Sequence, residues 1–321
     1  MDKQNKTYKI LSIDGGGMRG ICTVSTLEVL EKRFDCRTAD CFDMLCGTST
    51  GAIITAALCI GVKASEIVEF FQTEGPKIFP YISWPARCLA FLKQALFKSK
   101  YDNTVLKASL SQIFGTKTIA DIKLDLCIPV FNMSQGLPCV FKSGSLTHSS
   151  EGPMIVDILL AASAAPGYFP IHPIANSLYI DGGIWANNPA LAGLFEAMKL
   201  NPNTSFNILS MGSIENAVGD NFNHKSLSFW QWYRTEWLLE SYFQAQSKMI
   251  DSYASALGNI LPLNYVRLAV PRFTETNFRI EIDNASPATL LELKRLGAAA
   301  GQLEADNPQV RQFFQKPFPH N

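Results

Sequence analysis

The 321-residue chain reads as a three-layer α/β sandwich with a largely parallel central sheet, and three observations predict it. Short runs at 8–13, 42–46 and 206–211 are mostly apolar without the strict alternation of a half-wetted sheet. Such runs suit strands covered on both faces. Stretches with helical spacing follow them, and strands alternating with helices are the signature of a parallel sheet built from crossovers. Charged residues make up only 17% of the chain and mean hydropathy is +0.07, against roughly 25% charged in ordinary soluble domains. The core is therefore large, and apolar surface is left over.

One domain of this length buries roughly three-quarters of its unfolded surface, and residues 1–321 are expected to form a single domain. Lys plus Arg equals Asp plus Glu at 28 each, with no dense basic block. That excludes nucleic-acid binding as the main activity. Residues 1–7 are polar and lead directly into a strand, with no apolar core of a cleavable signal. No run approaches the roughly 18 apolar residues of a membrane span, so a cytoplasmic protein is expected. Cys36, Cys41 and Cys46 lie five apart, a spacing that fits neither a zinc site nor a redox pair. The eight cysteines are read as reduced structural thiols.

Taken in order, the first strand at 8–13 turns through Asp14-Gly15-Gly16-Gly17-Met18-Arg19-Gly20 into a helix starting near Ile21. Three successive glycines leave N–H groups exposed, an anion nest for a phosphate or an ester oxyanion. Gly15, Gly17 and Gly20 also match the dinucleotide fingerprint, with Asp35 at the distance of a ribose-binding acid. That fingerprint needs a second strand ending at the acid, whereas 23–34 is continuous helical pattern. Next, the strand at 42–46 meets Gly47-Thr48-Ser49-Thr50-Gly51, and an apolar helix follows until Gly61. This is the G-x-S-x-G nucleophile elbow, in which small flanking residues allow a strained turn and the helix N-terminus faces the serine oxygen. The bland alternative is a serine that caps a helix.

An amphipathic helix at 62–73 is expected to stop at Gly75-Pro76, where an insertion spanning 75–101 begins. Within it Leu89, Leu92 and Leu96 lie at helical spacing beside Arg87, Lys93, Lys98 and Lys100, either an ordinary surface helix or a lid that touches membrane. A helix at 103–114 is followed by strands at 124–131 and 137–141, an Ala-rich helix at 154–165, and a short strand at 177–180 that runs into Asp181-Gly182-Gly183. Asn188 and Pro189 start a helix at 189–199, as N-cap and first-turn proline. After the strand at 206–211, aromatic residues crowd 229–243, which core packing explains as well as a substrate wall does. An edge strand at 265–270 and a helix from Ser286-Pro287 toward Glu304 complete the chain.

Acyl transfer needs a nucleophile, a base and oxyanion donors. Ser49 and the Gly15 to Gly17 loop fit the first and third roles. Of the four histidines, His148, His172, His224 and His320, none directly ends a core strand, and the first three lie among loop-like polar or proline residues. Asp181 does follow a buried strand, where its carboxylate can sit beside the elbow. An aspartate at its ordinary pKa of about 3.9 is a weak base, and desolvation would strengthen it. The alternative for Asp181 is a turn former or helix cap.

The loop 14–20, the elbow 47–51 and Asp181-Gly182-Gly183, with 164–170 and 184–189 around them, together resemble the patatin-like phospholipase family. The resemblance spans 8–212 and leaves the C-terminal part, 213–321, to the general fold. It implies a patatin-like variant of the α/β-hydrolase architecture, with Ser49 as nucleophile and Asp181 as base. It implies an oxyanion loop of Gly15, Gly16 and Gly17, with Arg19 bracing that loop or favouring the anion, Gly47 and Gly51 shaping the elbow, and Gly182 and Gly183 shaping the turn after the base. The family cleaves acyl esters of phospholipids or other lipids in phospholipase A fashion, with no metal or organic cofactor, and works in peripheral contact with membrane. Some bacterial members act as nucleotide-activated, membrane-degrading effectors in phage defence, so a small-molecule activator is a further expectation. Two other readings stand beside it: an esterase pairing Ser49 with His224, and a non-catalytic phosphate or nucleotide binder using the 15–20 nest.

Overall fold

The computed structural model describes residues 7–80, 99–146, 151–214, 237–268 and 280–315. Within them, eight strands form one sheet. Strands β1 (Thr7–Ile13), β2 (Met44–Gly47), β3 (Asp125–Asn132), β7 (Ser205–Met211) and β8 (Leu263–Arg267) run parallel. Strands β4 (Leu137–Lys142) and β6 (Ser177–Asp181) run antiparallel to β3, and β5 (His172–Ile174) hairpins onto β6. The fold is the expected α/β sandwich.

Period-two side-chain alternation divides the core into two layers. Leu11, Ile13, Leu45, Leu126, Ile128 and Leu209 face one cluster, which is covered by α1 (Gly20–Phe34), α2 (Thr50–Cys59), α3 (Ala64–Ile78), α4 (Thr104–Phe114) and α5 (Ile155–Ala162). Their neighbours Ile10, Met44, Cys46, Cys127 and Ile208 face the other. After a four-residue helix, α6 (Gly183–Ala186), α7 (Ala190–Leu200) and α8 (Trp237–Leu257) cover that second face. The chain closes on α9 (Pro287–Ala305) and α10 (Pro308–Phe314) against the first layer.

Strand β3 creates the site by sharing one edge between two partners. Its edge toward β4 is paired from Cys127 to Asn132. The opposite edge carries β2 at Asp125–Cys127 and then, a few residues on, β6 at Val130–Asn132. Strands β2 and β6 therefore meet head to head on that edge. The end of β2 and the end of β6 face one another, although they lie far apart in sequence.

Four expectations change. Helix α3 does not stop at Gly75-Pro76 but continues to Ile78. Proline removes one N–H, yet Phe79 N–H still closes on Gly75 O at 2.8 Å, and Gly75 packs against Met18 so tightly that an added Cβ would lie 2.4 Å from Met18 Cε. The helix at 154–165 ends at Ala162, and β8 ends at Arg267. His172 belongs to a strand rather than a loop. Of the expected lid insertion at 75–101, residues 81–98 lie outside the described residues, as do the aromatic residues 229–236 and His148, His224 and His320. Among the described residues no helix is long and apolar enough to cross a membrane.

Candidate active site

Strand β2 is fully buried, and the turn after it leaves no room for side chains at two positions. A Cβ on Gly47 would lie 2.1 Å from Gly51 O, and one on Gly51 would lie 2.3 Å from Ile13 O. Between them Ser49 sits at φ 54°, ψ −123°. A non-glycine residue at positive φ costs on the order of 1–3 kcal/mol and persists only where its surroundings over-determine it. Here Thr48 N–H donates to Ile13 O at 3.2 Å, Thr48 Oγ1 to Ala186 O at 2.6 Å, and Gly51 N–H to Thr48 O at 2.8 Å. The turn is pinned on both sides of the serine.

Asp181 ends β6 opposite Val130 and is 1% exposed. Its carboxylate accepts the Gly183 N–H at 2.8 Å, and the Ser49 hydroxyl is near enough to favour its charged form. Burial pushes its pKa up to about 7, with the Ser49 hydroxyl and the Gly183 N–H opposing the shift. The carboxylate can therefore take or return a proton near neutrality.

The glycine loop approaches Ser49 from β1. Gly15 N–H donates to Asn187 O at 3.1 Å, so this donor is already committed. Gly17 takes φ 57°, and a Cβ there would lie 2.1 Å from Ile282 O, the carbonyl that Met18 N–H also reaches at 2.7 Å. Among the described residues the N–H groups of Gly16 and Gly17 meet no acceptor, and both residues line the pocket that holds Ser49. Arg19 is buried, with Nη1 at 2.6 Å from Glu240 Oε1 and Nε at 3.4 Å from Gly16 O. The second contact ties it to the loop.

Several groups around this loop carry no local signal in the sequence. Arg267 clamps Asp14 with two bonds, Nη1 to Oδ1 at 2.9 Å and Nη2 to Oδ2 at 2.6 Å. Burial acts to lower the guanidinium pKa, but the Asp14 charge outweighs it and holds the value above its ordinary range. Ser247 Oγ donates to Asp14 at 3.2 Å and accepts from Asn187 Nδ2 at 3.0 Å. Gln246 Oε1 accepts the Asn187 N–H at 3.1 Å. Arg267 was visible only as part of an edge strand, and Glu240, Gln246 and Ser247 only as part of, or just beyond, an aromatic-rich stretch.

The pocket beyond Ser49 and Asp181 is apolar. Met18, Ile53, Phe71, Phe79, Leu106 and Phe169 are among its walls, and it encloses about 780 Å³, part of it open to solvent. His172 is not among the lining residues. It is buried on β5 with Nε2 3.1 Å from Asp157 Oδ1. Asp35 is the αL cap of α1, its N–H bound to Glu31 O, and it ends a helix rather than a strand. That placement removes the ribose-binding role.

A family model described as "Patatin-like phospholipase" matches residues 11–194. "Patatin-like protein 2" of Arabidopsis thaliana is 31% identical over 305 residues, covering 81% of this chain and 74% of that protein. A "cGAMP-activated phospholipase" of Pseudomonas aeruginosa is 36% identical over 195 residues, covering 59% of this chain and 56% of that protein. A second protein of that name, from Escherichia coli, is 30% identical over 340 residues and covers 96% of this chain and 93% of its own length. Among solved structures, VipD from Legionella pneumophila aligns with a TM-score of 0.44 at 14% identity, covering 94% of this chain and 67% of that one.

Proposed function

The chain belongs to the patatin-like phospholipase family, and on that premise we propose that it is a phospholipase A-type acyl hydrolase using a Ser49–Asp181 dyad. The observation that carries this reading is the placement of Ser49 beside a buried Asp181 in the lining of one apolar pocket. Asp181 takes the hydroxyl proton as Ser49 attacks the ester carbonyl. The Gly16 and Gly17 N–H groups bind the oxyanion that forms. Asp181 then protonates the leaving lysophospholipid alkoxide, and the acyl group remains on Ser49. Water, deprotonated by the same carboxylate, releases the fatty acid and restores the enzyme. A pKa near 7 suits a group that must act as base and acid in turn. The whole chain acts as one catalytic domain in peripheral contact with lipid.

The test is hydrolysis of phospholipid vesicles with products identified by mass spectrometry. Ser49→Ala and Asp181→Asn should remove turnover while leaving the circular dichroism spectrum unchanged. His172→Ala and His224→Ala should keep most of it. A folded His224→Ala as inactive as Ser49→Ala would replace the dyad with a serine–histidine pair.

A second reading concerns control. The match to a cGAMP-activated phospholipase over nearly the full length of both chains supports an activity switched on by a cyclic dinucleotide. Turnover measured with and without cGAMP at micromolar concentration decides it. Equal rates would remove the activator from the account.

A further inference from the structure

Helix α8 (Trp237–Leu257) contributes side chains to every segment of the candidate site except the elbow. Glu240 pairs with Arg19, Gln246 and Ser247 hold Asn187, Ser247 also reaches Asp14, and Tyr242 and Gln246 both donate to Ile184 O just after Asp181. Positions 240, 243, 246 and 247 recur at helical spacing, so one face of α8 makes these contacts, with Phe243 in the pocket wall between them.

The link to the donors runs through Arg19. Its guanidinium is 6% and its Glu240 partner 5% exposed, so the pair is closed to water. Arg19 reaches Gly16 O twice, from its own N–H at 3.2 Å and from Nε at 3.4 Å. The Gly16 carbonyl belongs to the peptide plane that carries the Gly17 N–H, because C=O and the following N–H are rigidly coplanar and opposed. Fixing that carbonyl fixes the direction of a proposed oxyanion donor. A flexible glycine segment would not hold this direction by itself.

We infer that Glu240 is a positioning residue for acyl transfer: by ion-pairing with Arg19 it locks the Gly16–Gly17 peptide so that the Gly17 N–H points at the oxyanion. The inference rests on the acyl-hydrolase reading. It assigns to the C-terminal part of the chain, outside the matched residues 11–194, a contribution to transition-state binding. Glu240 touches no reacting atom.

The decisive variant is Glu240→Gln, which keeps the shape and an acceptor oxygen but removes the charge. On a soluble acyl ester its kcat should fall about tenfold to a hundredfold, within the loss of roughly 10²–10³ seen when an oxyanion donor is removed outright, with KM within about twofold. An alkyl trifluoromethyl ketone, which forms a tetrahedral oxyanion adduct on the nucleophile, should lose affinity by the same factor as kcat. The matching unreactive alkyl alcohol, which fills only the apolar pocket, should bind as before. A merely structural role would weaken both ligands alike, and that outcome overturns the inference, as does a folded variant with unchanged kcat and ketone affinity. If Glu240→Gln does not fold, Arg19→Lys carries the same comparison, since its ammonium can pair with Glu240 but has no Nε–H for Gly16. Absence of hydrolysis and of a ketone adduct in the wild type would instead bring down the acyl-hydrolase reading itself.

Discussion

Ser49 and Asp181 meet in one pocket because the strands that end near them lie head to head on one edge of β3. Strand β2 pairs with β3 as far as Cys127, and Asp181 pairs with Val130 just beyond. The elbow turns α2 away from that edge and leaves its next position to β6. No loop has to reach across the sheet: strand register brings the two ends together, and the pinned turn fixes Ser49 there.

This placement sets a pH dependence. In the proposed dyad Asp181 is ionised when it takes the serine proton, and burial raises its pKa to about 7. The kcat/KM of acyl transfer should therefore rise with pH through about 7 and level off above it. A profile that turns near pH 4, the ordinary carboxylate range, would show that Asp181 is not the base.

The same shift has a consequence for stability. Between the ordinary aspartate value and about 7, the folded state holds a proton on Asp181 that the unfolded chain has released, so stability falls as pH rises through that window. A shift of about three pKa units corresponds to roughly 4 kcal/mol at the upper end. Asp181→Asn carries no such charge. It should melt higher than wild type at pH 8, and the gap should shrink toward pH 4.5. A constant gap across that range would contradict the buried, raised carboxylate.

Gly16 tests the loop in another way. Its φ of −179° suits any residue, but an added Cβ would lie 2.4 Å from both Cβ and Oγ of Ser213, whose hydroxyl donates to Gly15 O at 3.2 Å. Gly16→Ala should lower kcat on the order of a hundredfold by displacing one donor. Adding Ser213→Gly makes room for the methyl and should recover at least about tenfold. Failure to recover would place the fault in the donor geometry itself rather than in the Ser213 clash.

The parts of the site that lie within one local stretch were legible. Gly47, Ser49 and Gly51 declare a sharp turn because each is required by close backbone approach or by the turn itself, and Asp14 to Gly20 declares a bare loop in the same way. The head-to-head arrangement was not legible, since β6 reads the same whether it runs parallel or antiparallel. Nor could the sequence say that Gly15 N–H is spent on Asn187, or that Arg19, Asp14 and Asn187 would find Glu240, Arg267 and Ser247. These pairs are separated by 60 to 253 residues and leave no periodic trace. Gly75-Pro76 misled for the opposite reason. Its local signal was strong, but packing against Met18 and the bond from Phe79 overrode it.

The pair of Asp14 and Arg267 should matter chiefly to stability. Removing one partner of a buried pair strands the other charge, which costs roughly 3–5 kcal/mol, whereas replacing both by apolar groups is often close to neutral. Arg267→Met should thus lower the unfolding free energy in urea by about that amount. The double variant with Asp14→Leu should recover most of it. A single variant within about 1 kcal/mol of wild type would show that solvent reaches the pair.

Chain-length preference should be set by the apolar wall of the pocket, to which Leu106 contributes. Leu106 is 4% exposed and comes from α4, a helix that carries none of the reactive groups. A larger side chain there takes up apolar volume while Ser49, Asp181 and the glycine loop keep their own residues. Each methylene kept out of it forfeits about 0.8 kcal/mol, so excluding about four would cost roughly 3 kcal/mol, or about a hundredfold in kcat/KM at roughly 1.4 kcal/mol per tenfold. Leu106→Trp should therefore lower kcat/KM for a sixteen-carbon acyl ester by about that factor, and leave a four-carbon ester within about twofold. The short ester also reports whether the variant has kept its fold. If both esters lose activity in parallel, the tryptophan has disturbed the elbow rather than the apolar wall, and if neither does, the acyl chain leaves the site by another path.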